Sequence, residues 1–220
     1  PGELHVSPQL SVYYYGFNLT RPPFKDQPGL RRALSMVIDR DRLTKSVTGL
    51  GEAPAYGWVP RGVANYTPQQ FAYASLPYEA RVAEARALYA KAGYSAQNPL
   101  KVELRYNSGE VRSRLAVATA AMWKEALGVE TELYAEEFRA LLQTIQARKD
   151  TQVFRSSWIG DYNDAYSFAQ LLQTGFGINL TGYSNPHYDA LLAEATRQPD
   201  PARRRALLED PGPQQSRSPG

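Results

Sequence analysis

Between Trp158 and Tyr166 the chain reads Trp-Ile-Gly-Asp-Tyr-Asn-Asp-Ala-Tyr, so three aromatic residues, two carboxylates and an amide fall within nine positions. Residues of these types can grip an amine or a polar chain, the carboxylates by charge and the rings by stacking. They make poor core, because a buried carboxylate needs a partner. Other chemistry is open to the same residues. Asp161 and Asp164 could act as an acid/base pair, but three residues apart at the start of a helix they suit a cap better. No nucleophile or metal set stands beside them to support catalysis. Asp161-x-Asn163 begins like a calcium loop, yet the glycine and terminal glutamate of an EF-hand are missing. The plain alternative is a surface Asx turn leading into a helix.

Composition removes several function classes. The 220 residues are 43% hydrophobic, enough for one or two domains with a real core. The net charge of +3 arises from 25 basic and 22 acidic residues that are interspersed, with no basic, aromatic-studded face for nucleic acid. The densest basic run, Arg203-Arg204-Arg205, reads as a solvated helix face. Cysteine is absent, which excludes disulfides and thiolate chemistry. The two histidines, His5 and His187, stand near opposite ends, so neither a histidine metal site nor a Ser/His/Asp triad is expected. No cofactor is implied. No apolar run approaches the ~20 residues of a membrane span, and none resembles a signal peptide.

The elements that must position the Trp158–Tyr166 stretch follow from periodicity. Residues 12–19, rich in tyrosine, predict a strand, and Pro22-Pro23 a rigid turn. A helix is expected over 28–38 and a second over 39–47, capped by Asp39 or Asp41. The Gly- and Pro-rich segment 49–68 predicts a long ordered loop pinned by Tyr56 and Trp58. From Tyr78 the pattern alternates: helix 78–92, strand 100–106, helix 110–127, strand 129–134, helix 136–147, strand 151–157. Trp123 falls at a core position of its helix. Helices over 163–172 and 187–196 and from 201 complete the unit, with a Gly-rich loop at 175–184. Such alternation implies a mixed or parallel sheet covered by helices, with ligands at the carboxyl ends of strands. The loops at Asn107 and at Trp158–Asp161 both follow strands and meet if those strands are parallel. Residues 211–220 contain no aliphatic side chain and read as a flexible or non-native tail, so the folded unit is expected to end near Asp210.

Four stretches carry a family resemblance. They are Tyr13-Tyr14-Tyr15-Gly16-Phe17-Asn18 with Pro22-Pro23-Phe24-Lys25-Asp26; Leu30-Arg31-Arg32-Ala33-Leu34-Ser35-Met36-Val37-Ile38-Asp39-Arg40; Gly51-Glu52-Ala53-Pro54-Ala55-Tyr56; and Trp158-Ile159-Gly160-Asp161-Tyr162-Asn163-Asp164. In consistent order over about residues 11–210, they resemble the second lobe of the extracytoplasmic solute-binding proteins of family 5, the peptide-binding components of ABC importers, and its oligopeptide branch in particular. The resemblance implies an α/β lobe of periplasmic-binding-protein type, with a mixed sheet flanked by helices. It also implies a peptide ligand closed between two lobes, delivery to a membrane permease, and a periplasmic or extracellular location at the cell envelope. Asp161 would receive the peptide's α-amino group and Trp158 would wall a side-chain pocket. Arg155, Asn107, Arg112, Phe138 and Tyr15 align with positions bordering the cleft.

The family's preceding lobe and closing strands have no counterpart in this sequence, which on that reading supplies half a cleft: residues 1–210 are one lobe, and alone should bind peptide weakly. The main alternative is a ligand-sensing or interaction module of a regulator that carries the same lobe. A hydrolase is a third class for which the residues offer no machinery.

Overall fold

The computed structural model describes residues 9–210; His5 and the 211–220 tail lie outside them. Four strands set the frame: β1 Ser11–Phe17, β2 Lys101–Asn107, β3 Glu130–Glu136 and β4 Val153–Ile159. They form one mixed sheet in the order β1-β4-β2-β3. β2 runs parallel to both β3 and β4, because α4 (Glu110–Leu127) and α5 (Phe138–Ala147) return the chain between successive strands. β1 pairs antiparallel with β4, from Ser11 opposite Ile159 to Phe17 opposite Val153. The alternating elements are therefore as the periodicity predicts, and the carboxyl ends of β2 and β4 lie side by side.

The remaining helices are α1 (Pro28–Met36), α2 (Arg40–Arg42, continued by wider π-type turns over Leu43–Thr48), α3 (Tyr78–Lys91), α6 (Tyr166–Ala169, continued as a 3-10 turn over Gln170–Leu172), α7 (Pro186–Arg197) and α8 (Pro201–Glu209). Their starts have chemical causes. Asp39 accepts the Arg42 N–H, Asn185 those of His187 and Tyr188, and Asp200 that of Arg203. Gly128, at φ 76°, ends α4. Two expectations change. The 39–47 helix is only briefly α-helical before it widens, and the 163–172 helix begins at Tyr166, since residues 161–164 are bends.

The main core lies between α1, α3, α4 and one face of the sheet. Leu30, Ala33, Leu34, Met36 and Val37 are fully buried there, as is Trp123, whose indole N–H donates to the Leu34 carbonyl at 2.9 Å. The motif that continues into Arg40 is a structural knot. The Arg40 guanidinium donates to the carbonyls of Ser35 and Ile38 and lies 5.1–5.9 Å from the rings of Tyr56, Phe71 and Tyr73. A second cluster, Val12, Val59, Val63, Ala165 and Phe168, fastens the long loop to the start of α6. A third joins Leu141 and Ile145 of α5 to Phe154 of β4 and to Leu180. Among the described residues no helix is long and apolar enough to cross a membrane, and no group of three or more His, Cys, Asp or Glu side chains is placed to hold a metal ion.

Candidate ligand-binding site

The strand that feeds the site runs further than the sequence suggests. Pairing with β1 extends β4 to Ile159, so Trp158 belongs to the strand and not to the loop. Gly160 then turns the chain against Phe168; a Cβ at residue 160 would stand 3.0 Å from the Phe168 ring. The Gly160 N–H donates to Leu10. The next amide, of Asp161, donates to the hydroxyl oxygen of Ser167 at 3.0 Å, and the Trp158 indole N–H reaches the same oxygen at 3.3 Å. Ser167 is fully buried. Asp164 accepts the Tyr166 N–H at 2.8 Å just ahead of α6 and is held by the Arg204 fork at 2.6 and 2.9 Å. Asn163 accepts the Ala64 N–H from the long loop at 2.7 Å. Every element of the turn is thus fixed from behind, while the Asp161 side chain is exposed and its carboxylate accepts no hydrogen bond from the described residues. Trp158 is half-buried, packed in the second cluster beside Tyr14 and Trp58.

A different cluster forms on the opposite face of the sheet. The register places Arg155 across from Tyr15 and Ser157 across from Tyr13. Arg155 donates to the Asn107 side-chain oxygen at 2.9 Å and to the Ser157 hydroxyl at 3.1 Å, and its guanidinium carbon lies 4.6 Å from the centre of the Tyr13 ring. The Tyr13 and Tyr15 rings meet edge-on at 5.8 Å. Burial pushes both phenols up from 10.0, Tyr15 well above it. Burial also lowers Arg155; the Tyr13 phenol opposes that shift and the charge of Arg112 adds to it. The phenol oxygens of Tyr13 and Tyr15, the Arg155 Nε and the Thr119 hydroxyl are buried without a hydrogen-bond partner among the described residues. Arg112, in the first turn of α4, folds back over Gly109, whose φ of 147° and lack of a Cβ make room for its guanidinium.

Six of the seven residues singled out by sequence accordingly fall into two groups. Arg155, Asn107 and Tyr15 come together, with Arg112 close enough for its charge to act on Arg155. Trp158 and Asp161 are joined through Ser167. Phe138, at the start of α5, is half exposed and makes no hydrogen bond or ring contact with either group. Reading the sequence misses Ser167, which carries no motif signal. It also misreads Arg204 as solvated: helical spacing turns it inward from Arg203 and Arg205, onto Asp164.

Residues 2–180 match the family model described as bacterial extracellular solute-binding proteins, family 5 Middle. The chain belongs to this family. Two of its family 5 relatives are from Escherichia coli (strain K12). The periplasmic murein peptide-binding protein MppA is 39% identical over 198 residues, which is 90% of this chain and 36% of that one. The periplasmic oligopeptide-binding protein OppA is 36% identical over 210 residues, 94% of this chain and 38% of that one. The solved complex of Haemophilus influenzae OppA with RPPGFSPFR superposes with a TM-score of 0.87 at 32% identity, covering 91% of this chain and 39% of that one. The chain thus spans a little over a third of the length of the curated relatives it matches. The family resemblance carried by the four sequence stretches is confirmed, and the mixed α/β sheet is the lobe architecture of periplasmic binding proteins.

Proposed function

We propose that residues 1–210 form one lobe of the substrate-binding component of an ABC-type peptide importer, which captures oligopeptides with a free N-terminus, and that Asp161 accepts the peptide's α-amino group. The observation that carries this reading is the contrast within one residue: the Asp161 backbone is pinned through Ser167, whereas its carboxylate is exposed and unengaged. An acceptor presented in this way is ready for a charge-assisted hydrogen bond to an ammonium. Trp158 and Tyr162, the latter exposed beside it, supply apolar walls. Arg155, Arg112, Asn107 and Tyr15 form a cationic, aromatic stretch of the same lobe, and Phe138 offers an exposed ring at the start of α5. Peptide binding by the relatives supports the ligand class, through the murein peptide-binding MppA and the OppA–RPPGFSPFR complex. The protein works by capture and not by catalysis, at the periplasmic side of the cell envelope, and hands its ligand to a membrane permease.

The test is Asp161→Ala in the full-length protein, titrated by calorimetry with a pool of free-amine tripeptides and with the same pool N-acetylated. Affinity for the free-amine pool is expected to fall roughly ten- to a hundredfold, the scale of a hydrogen bond to a charged group. Binding of the acetylated pool should not change. Undiminished affinity for the free-amine pool would remove Asp161 from the role.

A further inference from the structure

We infer that Arg204 is a positioning residue for the amine-binding loop, acting through Asp164 and Ser167 on Asp161 and Trp158. Arg204 touches no ligand in this assignment, which rests on the role proposed for Asp161.

The connection can be followed atom by atom. From α8 the two terminal nitrogens of Arg204 donate to both carboxylate oxygens of Asp164, at 2.6 and 2.9 Å, and its Nε donates to the Ala195 carbonyl in α7 at 3.2 Å. One guanidinium thereby ties α7, α8 and the loop together. Asp164 passes the constraint on in two ways: its side chain accepts the Tyr166 N–H at 2.8 Å, and its backbone carbonyl accepts the Ser167 N–H at 3.1 Å. These bonds set the first turn of α6, and that turn fixes where the Ser167 hydroxyl lies. The hydroxyl oxygen then receives the Asp161 amide and the Trp158 indole together. A single exposed ion pair would do little of this. Here both partners are about three-quarters shielded, with side chains 25% and 23% exposed. The planar fork also fixes an orientation that a lysine ammonium, a point charge, would leave free.

α8 is itself seated at both ends against the long loop. Asn65 donates to the Pro201 carbonyl at 2.9 Å, and Glu209 accepts the Thr67 N–H at 2.6 Å. Arg204 therefore reaches Asp164 from a helix held in place by contacts independent of the ion pair.

The experiment uses the full-length protein with Arg204→Met, Arg204→Lys and Ser167→Ala, compared by hydrogen exchange over 158–168 and by calorimetry with the free-amine tripeptide pool. Arg204→Met is expected to speed exchange over 158–168 by about tenfold or more, to leave 101–107 unchanged, and to weaken binding by about tenfold. Arg204→Lys should fall between it and the parent. Ser167→Ala, which leaves α8 untouched, should show the same loosening and the same loss. Combining Arg204→Met with Asp161→Ala should weaken binding by less than the sum of the two single losses, since they share the Asp161 contact. Unchanged exchange over 158–168 in Arg204→Met, or additive losses in the double variant, would overturn the inference. If Arg204→Met does not fold, parental exchange and affinity in Ser167→Ala would overturn it as well. Should Asp161→Ala itself leave affinity untouched, the ligand role of Asp161 falls, while the exchange data still decide whether Arg204 holds the loop.

Discussion

Arg155 and Asp161 stand six residues apart on one strand and the turn that follows it, and they are held in opposite ways. Arg155 is gripped by its side chain: Asn107, Ser157 and the Tyr13 ring all engage the guanidinium. Asp161 is gripped by its backbone, and its carboxylate is left to solvent. A side chain already committed to neighbours organises the fold around it. A side chain left free on a fixed backbone keeps its bonding capacity for something that arrives later. One face of β4 thus carries a committed side-chain cluster, and the turn beyond the strand carries an uncommitted carboxylate.

Three substitutions in the full-length protein, each followed by denaturant unfolding, break or sharpen that contrast. The largest effect is expected from Phe168→Ala. Phe168 is fully buried in the cluster behind the Asp161 turn, and its truncation should cost about 3–5 kcal/mol. A loss below about 1 kcal/mol would mean that the turn is fixed by hydrogen bonds and not by packing. Asn107→Ala comes next, at about 1–3 kcal/mol, because it leaves a partly buried guanidinium N–H of Arg155 without its acceptor. A neutral result would show that Arg155 finds another partner and is not committed to the fold. Asp161→Ala should change stability least, by no more than about 0.5 kcal/mol in either direction. A large loss there would place the carboxylate in the structural class and erase the distinction.

Much of this was legible in the sequence, for physical reasons. The β2-α4-β3-α5-β4 succession follows from period-2 and period-3.6 patterns, and Trp123 sits on an unmistakably apolar helix face. The division of the site was not: Arg155 and Trp158 face opposite ways because both lie on β4, whereas the sequence pattern ends that strand at Ser157. Other features were beyond reach. Arg81 is buried on α3 against the Tyr56 and Tyr78 rings, at 5.4 and 5.3 Å, and a hydrophobic pattern cannot register a charged residue buried by stacking. The Asp164–Arg204 pair joins residues 40 positions apart, and no local pattern names the carboxylate that Arg204 turns inward to meet. The extension of β4 through Trp158 to Ile159 depends on β1, a partner from the other end of the chain.

That last pairing has a kinetic consequence. Among the described residues β1 is an edge strand, with β4 as its sole neighbour in the sheet. The contacts from Ser11–Ile159 to Phe17–Val153 therefore close a loop of well over half the described chain. Closing so large a loop delays the ordering of both strands, and the high contact order favours slow folding. During synthesis Tyr15 must wait for Arg155 to emerge, and Leu10 for Gly160. The β1–β4 edge of the sheet is then among the last parts to assemble, after the local contacts of the helices.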